Sequence, residues 1–384
     1  MSRVSVKRDV LRWAMDRSGL TIDDLQRRFP KARQWDAGQS QPTLRQVEAI
    51  ARLTFTPLGF FFLAEPPQER LPVPYFRTLG DERPSGPSPD LLETIQMMEQ
   101  RQAWMRDYLI EQGQQPLPFV RSAHLGEPYG SAADRIRRAM RLDERWAARE
   151  PTWTRALSAL REAAEEAGIL IVVNGIVGNN THRRLQPSDF RGFVLVDEYA
   201  PLVFVNGADG KAAQMFTLAH ELAHVVFGSS AAFDLREMQP AADPAEQECN
   251  GVAAEFLIPE CEMRRVWPSV RGDPEPFQAI ARQFKVSAIV AGRRALDLGL
   301  IQKAAFLHFY QAYQADERRA VATQSEGGDF YATQNLRVGR RFASAVVRAV
   351  TESKMLYSDA YKLTGLYGKS FDQYAAALQR RGGR

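Results

Sequence analysis

The sequence predicts an α+β fold that is mostly helical, with its strands confined to one central stretch. Apolar residues recur at helical spacing through the first 63 residues and again after about residue 276. Between them, β-branched or apolar runs at Ile169–Val173, Phe190–Val196 and Leu202–Val205 read as strands. They lie between a helix ending at Gly168 and an unusually apolar helix from Lys211 to Phe227. Helix, strands, then a further helix is an α+β order.

Length and composition bound the answer. The 384 residues give a soft prior of two or three domains at about 150 residues each. Hydrophobic residues at 45% and charged residues at 25% exclude a wholly disordered chain, a collagen-like chain and a small disulfide scaffold. The only cysteines are Cys249 and Cys261, so no disulfide framework is implied and a reducing compartment is expected. Fifty basic against 46 acidic residues leave a net charge of only +4, too even a mixture to name a polyanionic partner. The N-terminal stretch is charged throughout and lacks a signal-like apolar core. The most apolar short run, Phe55–Ala64, is broken by Pro57 and is too short to span a bilayer. A cytoplasmic protein with no membrane contact is the expectation.

Residues 1–63 read as short helices. Val10, Leu11, Trp13 and Ala14 mark the first, and Thr21 caps a second with Asp23 and Asp24 in its first turn and Leu25 on its buried face. Thr43 caps another that carries Leu44, Val47, Ile50 and Ala51. Residues 64–90 hold seven prolines, which forbid a long helix and predict a linker or extended arm. Residues 91–150 form a helical connector, with Leu91, Leu92, Ile95, Met98, Trp104, Leu109 and Ile110 as one buried face and a second helix around Ala132–Met140. The central domain is placed at 151–302. Residues 303–384 are helical, with Gly327 and Gly328 as a break and the last 50 or so residues as a separate small element.

The chemistry is carried by His220-Glu221-Leu222-Ala223-His224, an HExxH motif in a chain with five histidines. Chance alone gives about 0.005 such motifs in a chain of this length and composition. Gln214, Thr217, His220, Glu221 and His224 form one narrow polar stripe on an otherwise apolar helix, the mark of an enclosed polar cleft. Residues at i and i+4 share a face, so both imidazoles can reach one zinc ion. Glu221, between them, is placed to take a proton from a zinc-bound water. A third ligand is needed. Glu246 is the first candidate, 22 residues after His224 on a helix with Asp243 as cap and Pro244 at its first position. Asn250, one turn on, shares its face and can orient a ligand from behind. Asp243 and Glu246 also fit a capping box that needs no metal, and Glu248 and Glu237 are fallback ligands. For the group that stabilises the oxyanion, His308, His182, Tyr199 and Tyr331 are all candidates. Leu202–Asn206 is a candidate edge strand for pairing with an extended substrate, or equally an interior strand.

TLAHELAHVVFG followed by AEQECNGVAAEFLIP resembles the ImmA/IrrE family of zinc metallopeptidases, which pairs HExxH with a later Glu-x-x-x-Asn helix ending in Leu-Leu-x-Pro. GILIVVNG and FRGFVLVDEYAPLVFVNG resemble the strands before its metal helix, and FKVSAIVAGRRALDLGLI its closing helices, so the resemblance covers about residues 150–302. It implies a zincin-like metallopeptidase domain, Zn2+ as the cofactor, His220, His224 and Glu246 as ligands, and Glu221 as general base. Cys249 stands where alanine is usual in the family.

The N-terminal unit resembles the Xre-type helix-turn-helix in Leu25, in Trp35-Asp36-Ala37-Gly38 and in Pro42-Thr43-Leu44. Residues 1–80 carry 13 Lys/Arg against 8 Asp/Glu, a bias toward phosphate contact. Lys31, Arg33 and Gln34 are the candidate DNA-contacting residues. Trp35 follows Gln26 by only nine positions, and Pro30 sits where a recognition helix would begin, so a module that has kept only protein contacts fits as well. The C-terminal Arg337, Arg340, Arg341 and Arg348 fit a nucleic acid, a partner or solvent.

The expected function is a transcriptional regulator that is also a zinc metalloendopeptidase, cleaving a protein partner such as a repressor. Two rivals stand beside it. One is a DNA-binding or antitoxin-like regulator that neutralises a partner such as a toxin, with a structural or vestigial zinc site. The other is a zinc hydrolase of small molecules.

Overall fold

The computed structural model describes residues 3–67, 87–229, 243–315 and 333–380, and the backbone of 75–76, 231–233 and 381–382. Glu237, Tyr331, Gly327, Gly328 and most of the proline-rich arm lie outside the described residues. The chain divides into two compact units, with the boundary inside a long helix between Ile95 and Gln96.

The first unit is helical. Helices α1 (Arg8–Arg17), α2 (Ile22–Arg28), α3 (Ala32–Asp36) and α4 (Leu44–Leu53) are followed by a 3-10 turn at Leu58–Phe62. Thr21 and Thr43 each build a capping box, with Asp24 and Gln46 as their reciprocal partners. Val10, Leu11, Ala14, Leu25, Trp35, Val47, Ile50 and Phe61 form the core. Arg12 grips Asp36 through Nε at 2.6 Å and Nη2 at 2.9 Å, tying α1 to α3. Leu44, the first residue of α4, is 43% exposed, while Val47, Ile50 and Ala51 are buried.

The long helix α5 (Pro89–Glu111) straddles the boundary. Ile110, expected inside, is exposed, and Tyr108 and Met105 take the buried positions of its last turns. The second unit continues with α6 (Tyr129–Ala139) and α7 (Trp153–Ala167), which stops at Gly168 in the left-handed conformation. Strands β2 (Leu170–Asn174), β3 (Gly192–Leu195) and β4 (Leu202–Asn206) follow, each buried along its whole length. With β1 (Tyr75–Phe76) and β5 (Ala231–Phe233) they make a sheet of order β1-β5-β3-β4-β2. β3 and β4 are an antiparallel hairpin, with Gly192 opposite Val205 and Leu195 opposite Leu202. β2 joins β4 in parallel, with Leu170 opposite Leu202.

This order decides between the two readings of β4 in favour of an interior strand. Leu202–Asn206 is not an edge strand: its ladder is filled by β3 on one side and β2 on the other, so no substrate strand can add to it.

Helix α8 (Lys211–Phe227) has every residue from Gln214 to Val226 buried, as a helix apolar on nearly all sides must be. Helix α9 (Pro244–Leu257) packs along it, followed by α10 (Glu260–Val270), α11 (Pro276–Phe284), α12 (Ala288–Asp297) and α13 (Lys303–Ala315). A π-helical turn at Asn335–Gly339 leads into α14 (Arg340–Thr351), α15 (Tyr357–Thr364) and α16 (Lys369–Gly382). These last helices do not stand apart. Buried Arg101 of α5 donates to the carbonyls of Leu363 and Arg337, and Trp104 meets Phe342 edge-on at 5.6 Å. Among the described residues no helix is long and apolar enough to cross a membrane.

Candidate metal centre

Helix α8 puts His220 and His224 one turn apart on the face that meets α9, and their Nε2 atoms lie 3.0 Å from each other. Glu246 reaches across from the first turn of α9. Its Oε2 is 3.1 Å from His220 Nε2 and its Oε1 is 3.2 Å from His224 Nε2. The rival capping-box role is not taken up: Asp243 caps α9 by accepting from Ala245 N, which leaves the Glu246 carboxylate to the histidines.

Each imidazole is held from behind. His220 Nδ1 is 3.1 Å from Asn250 Oδ1, and His224 Nδ1 is 2.9 Å from Ser229 Oγ. An amide oxygen only accepts, so His220 carries its proton on Nδ1 and offers a bare Nε2. The Nε2 atoms of both histidines and the Glu246 carboxylate converge in a buried pocket. Both oxygens of Glu246 and both of Glu221 lack a hydrogen-bond donor. Acceptors crowded in this way repel one another unless a proton or a cation joins them. A metal with bonds of about 2.0–2.2 Å in tetrahedral array spaces its donors about 3.3 Å apart, close to the three separations seen here. The donor set, two imidazoles and a carboxylate, suits zinc and leaves a fourth position open. His220, His224 and Glu246 are the one group of metal-ligating side chains found among the described residues.

The two carboxyl groups are driven apart electrostatically. Burial, reinforced by the nearby charge of Glu246, raises the pKa of Glu221 well above the usual carboxylate range. Burial also pushes Glu246 upward, but its contacts with His220 and His224 outweigh that and hold it at about 2. Burial lowers His220, which favours the neutral imidazole that a metal requires. The two carboxyl groups thus differ in character, Glu246 held ionised and Glu221 pushed toward its neutral form.

The other sequence candidates fall elsewhere. Glu248 turns away from the triangle and accepts from Gly126 N at 3.2 Å. Cys249, one turn after Glu246, is fully buried, and burial raises its thiol well above its ordinary value. His308 lines a pocket between α11, α12 and α13 with Phe277 and Tyr313. His182 is exposed in the loop before β3, and Tyr199 lies in the β3–β4 turn. Lys31, Arg33 and Gln34 are exposed at α3, a helix of five residues, where Arg33 pairs with Asp23 at 2.6 Å and Gln34 accepts from Ser40. Arg340 and Arg348 are exposed, whereas Arg341 lies against Glu165. Ser229 escaped the sequence reading. Its signal is the Gly-Ser pair directly after the metal helix, where a glycine cap turns the chain back toward the last ligand.

Residues 164–296 match the family model of the IrrE N-terminal-like domain, peptidase M78, and residues 338–377 match a family described only as a domain of unknown function. No curated protein and no solved structure matches the chain. The helix that supplies both histidines and the helix that supplies Glu246 lie inside the first match, so the chain carries, over residues 164–296, a metallopeptidase-like domain of the ImmA/IrrE family.

Proposed function

We propose that the chain is a zinc-dependent metalloendopeptidase that hydrolyses a peptide bond in a cytoplasmic protein partner, with a transcriptional repressor as the expected class. The observation that carries this reading is the buried donor triangle of His220, His224 and Glu246 with the unpartnered Glu221 carboxylate beside it. His220, His224 and Glu246 would hold the metal. When bound, zinc supplies Lewis acidity that acidifies water and polarises a carbonyl. Glu221 takes the proton from the attacking water and returns it to the leaving amine. Asn250 keeps the His220 imidazole turned toward the site.

The first experiment is the zinc content of the purified chain and of Glu246→Ala. One zinc per chain, lost or weakened in the variant, supports the reading. No zinc after reconstitution removes it.

A second reading draws on the burial of the site. His220 and Glu221 are 0% exposed, and His224 and Glu246 1%. A centre closed in this way also suits a regulator that binds its partner, a toxin or operator DNA through residues 1–63, around a structural metal. A partner that co-purifies intact and binds Glu221→Gln as well as wild type would favour that reading.

A further inference from the structure

We propose that Ser229 is a positioning residue for the metal centre, fixing the tautomer and direction of His224 as Asn250 fixes those of His220. The inference rests on the metal reading above and extends it to a residue outside the HExxH and Glu-x-x-x-Asn segments.

The two histidines are held by different means. The His220 partner, Asn250, comes from α9, the helix that also brings Glu246. The His224 partner comes from the end of α8 itself. The helix stops at Gly228, whose φ of 82° is left-handed, and both Gly228 N and Ser229 N donate to the His224 carbonyl, at 2.8 and 3.2 Å. That fold-back carries the Ser229 hydroxyl to 2.9 Å from His224 Nδ1. Ser229 therefore binds its histidine twice, through the amide to the main chain and through the hydroxyl to the ring.

The geometry depends on glycine at 228. A side chain there would be strained by the positive φ, and its Cβ would lie 2.3 Å from Arg121 Cγ. Arg121 is itself seated on the helix end, with its N donating to Val225 O at 3.1 Å. The cap is thus built from both sides, and the serine follows from it. As acceptor, the hydroxyl holds the His224 proton on Nδ1 and leaves Nε2 bare toward Glu246 and His220. Partners of this kind keep a metal ligand in one orientation, and their loss typically costs 10- to 100-fold in metal affinity.

The test uses the full chain, with Ser229→Ala and Ser229→Thr. Zinc affinity is read by competition with a chromophoric chelator, and the His224 tautomer in the zinc-free protein by nitrogen-15 NMR of the ring. The expected result is a zinc Kd raised roughly 10- to 100-fold in Ser229→Ala and largely restored in Ser229→Thr, which keeps the hydroxyl. The His224 proton should sit on Nδ1 in wild type and shift toward Nε2 in Ser229→Ala. An unchanged Kd with an unchanged tautomer in Ser229→Ala overturns the proposal. So does a Ser229→Thr variant as defective as the alanine. If the wild type binds no zinc, the proposed function fails, and the tautomer measurement alone still decides whether Ser229 sets His224.

Discussion

Gly192, the first residue of β3, lies directly against Glu221. A Cβ on Gly192 would sit 3.1 Å from Glu221 Oε1, 2.6 Å from Thr217 Cγ2 and 2.8 Å from the Phe204 carbonyl oxygen. The strand approaches the metal helix this closely because it presents no side chain there. The Phe204 carbonyl cannot yield, since it belongs to the β3–β4 ladder in which Gly192 opposes Val205. Gly192→Ala is therefore expected to lose about 1–3 kcal/mol of stability, the usual cost of overpacking a core. Peptidase activity should fall with it while zinc content is retained, because neither histidine is touched. Thermal melting and zinc analysis of the same preparation check both halves.

Glu221→Gln separates chemistry from assembly. The amide keeps the size of the side chain in a site with no exposure, so the fold and the zinc stoichiometry should match wild type. It cannot take a proton from water, and a lost general base costs on the order of 10²–10⁴ in rate. Cleavage of a confirmed partner protein should fall by that much. A variant that cleaves as fast as wild type removes Glu221 from the mechanism.

The burial of the ligands predicts how metal leaves. The side chains of His220, His224 and Glu246 are no more than 2% exposed, so a chelator could not reach an ion held between them unless the chain moved. Release must wait for a local opening. The rate of zinc loss should therefore rise with chelator concentration and then level off at the opening rate. A rate that stays linear in chelator at high concentration would show that the closed site is directly accessible. The same closure predicts weak activity on short generic peptides and stronger activity on a partner that opens the site.

How much of this was legible in the sequence follows from what is local. The metal helix ends at the residues that periodicity and Gly228 indicate, α7 stops at Gly168, and Asp243 and Pro244 open α9 as caps do. His220, His224 and Glu246 were readable as a set because spacing and the family resemblance both point at them. The competition between ligand and capping box at Glu246 was not decidable locally, since it turns on whether Asp243 caps Ala245 or the third residue of the helix. Strand order was hidden for a similar reason. The partner that makes β4 interior is β2, more than two dozen residues upstream, and nothing in Leu202–Asn206 records it. Ser229 needs the fold-back of a glycine cap to reach His224, a relation between backbone conformation and a side chain that periodicity does not carry.

Arg101 holds the C-terminal helices to α5 through hydrogen bonds rather than an ion pair. It is buried, which lowers its pKa to about 10. Its Nε donates to Leu363 O at 2.8 Å and its Nη1 to Arg337 O at 2.9 Å. Arg101→Ala removes two charge-assisted bonds and strands two carbonyls, an expected loss of about 3 kcal/mol or more. Arg101→Lys should recover only part, because one ammonium cannot reproduce the planar fork. Chemical denaturation of the two variants gives the comparison, and equal stability of wild type and Arg101→Ala would show that the carbonyls find other donors.

Glu165 predicts a pH dependence with a definite sign. It sits on α7, where Oε1 accepts from Arg341 N at 3.2 Å. Burial raises its pKa above the ordinary 4.5, and the opposing pulls of Arg341, Arg161 and Arg340 do not cancel that. The folded state thus holds the Glu165 proton more tightly than the unfolded chain does. This contribution to stability is fully present below the unfolded value and is lost as pH rises through the folded one. As pH rises, the folded protein takes on the penalty of ionising a partly buried carboxylate. Glu165→Gln keeps an acceptor for Arg341 N and removes the charge, so it should be more stable than wild type at pH 7. The gain should shrink as pH falls and vanish below about 4, where wild type is protonated in both states. Denaturation midpoints for the two proteins across that range test the sign, and a constant offset from pH 4 to pH 7 would exclude titration of Glu165 as its source.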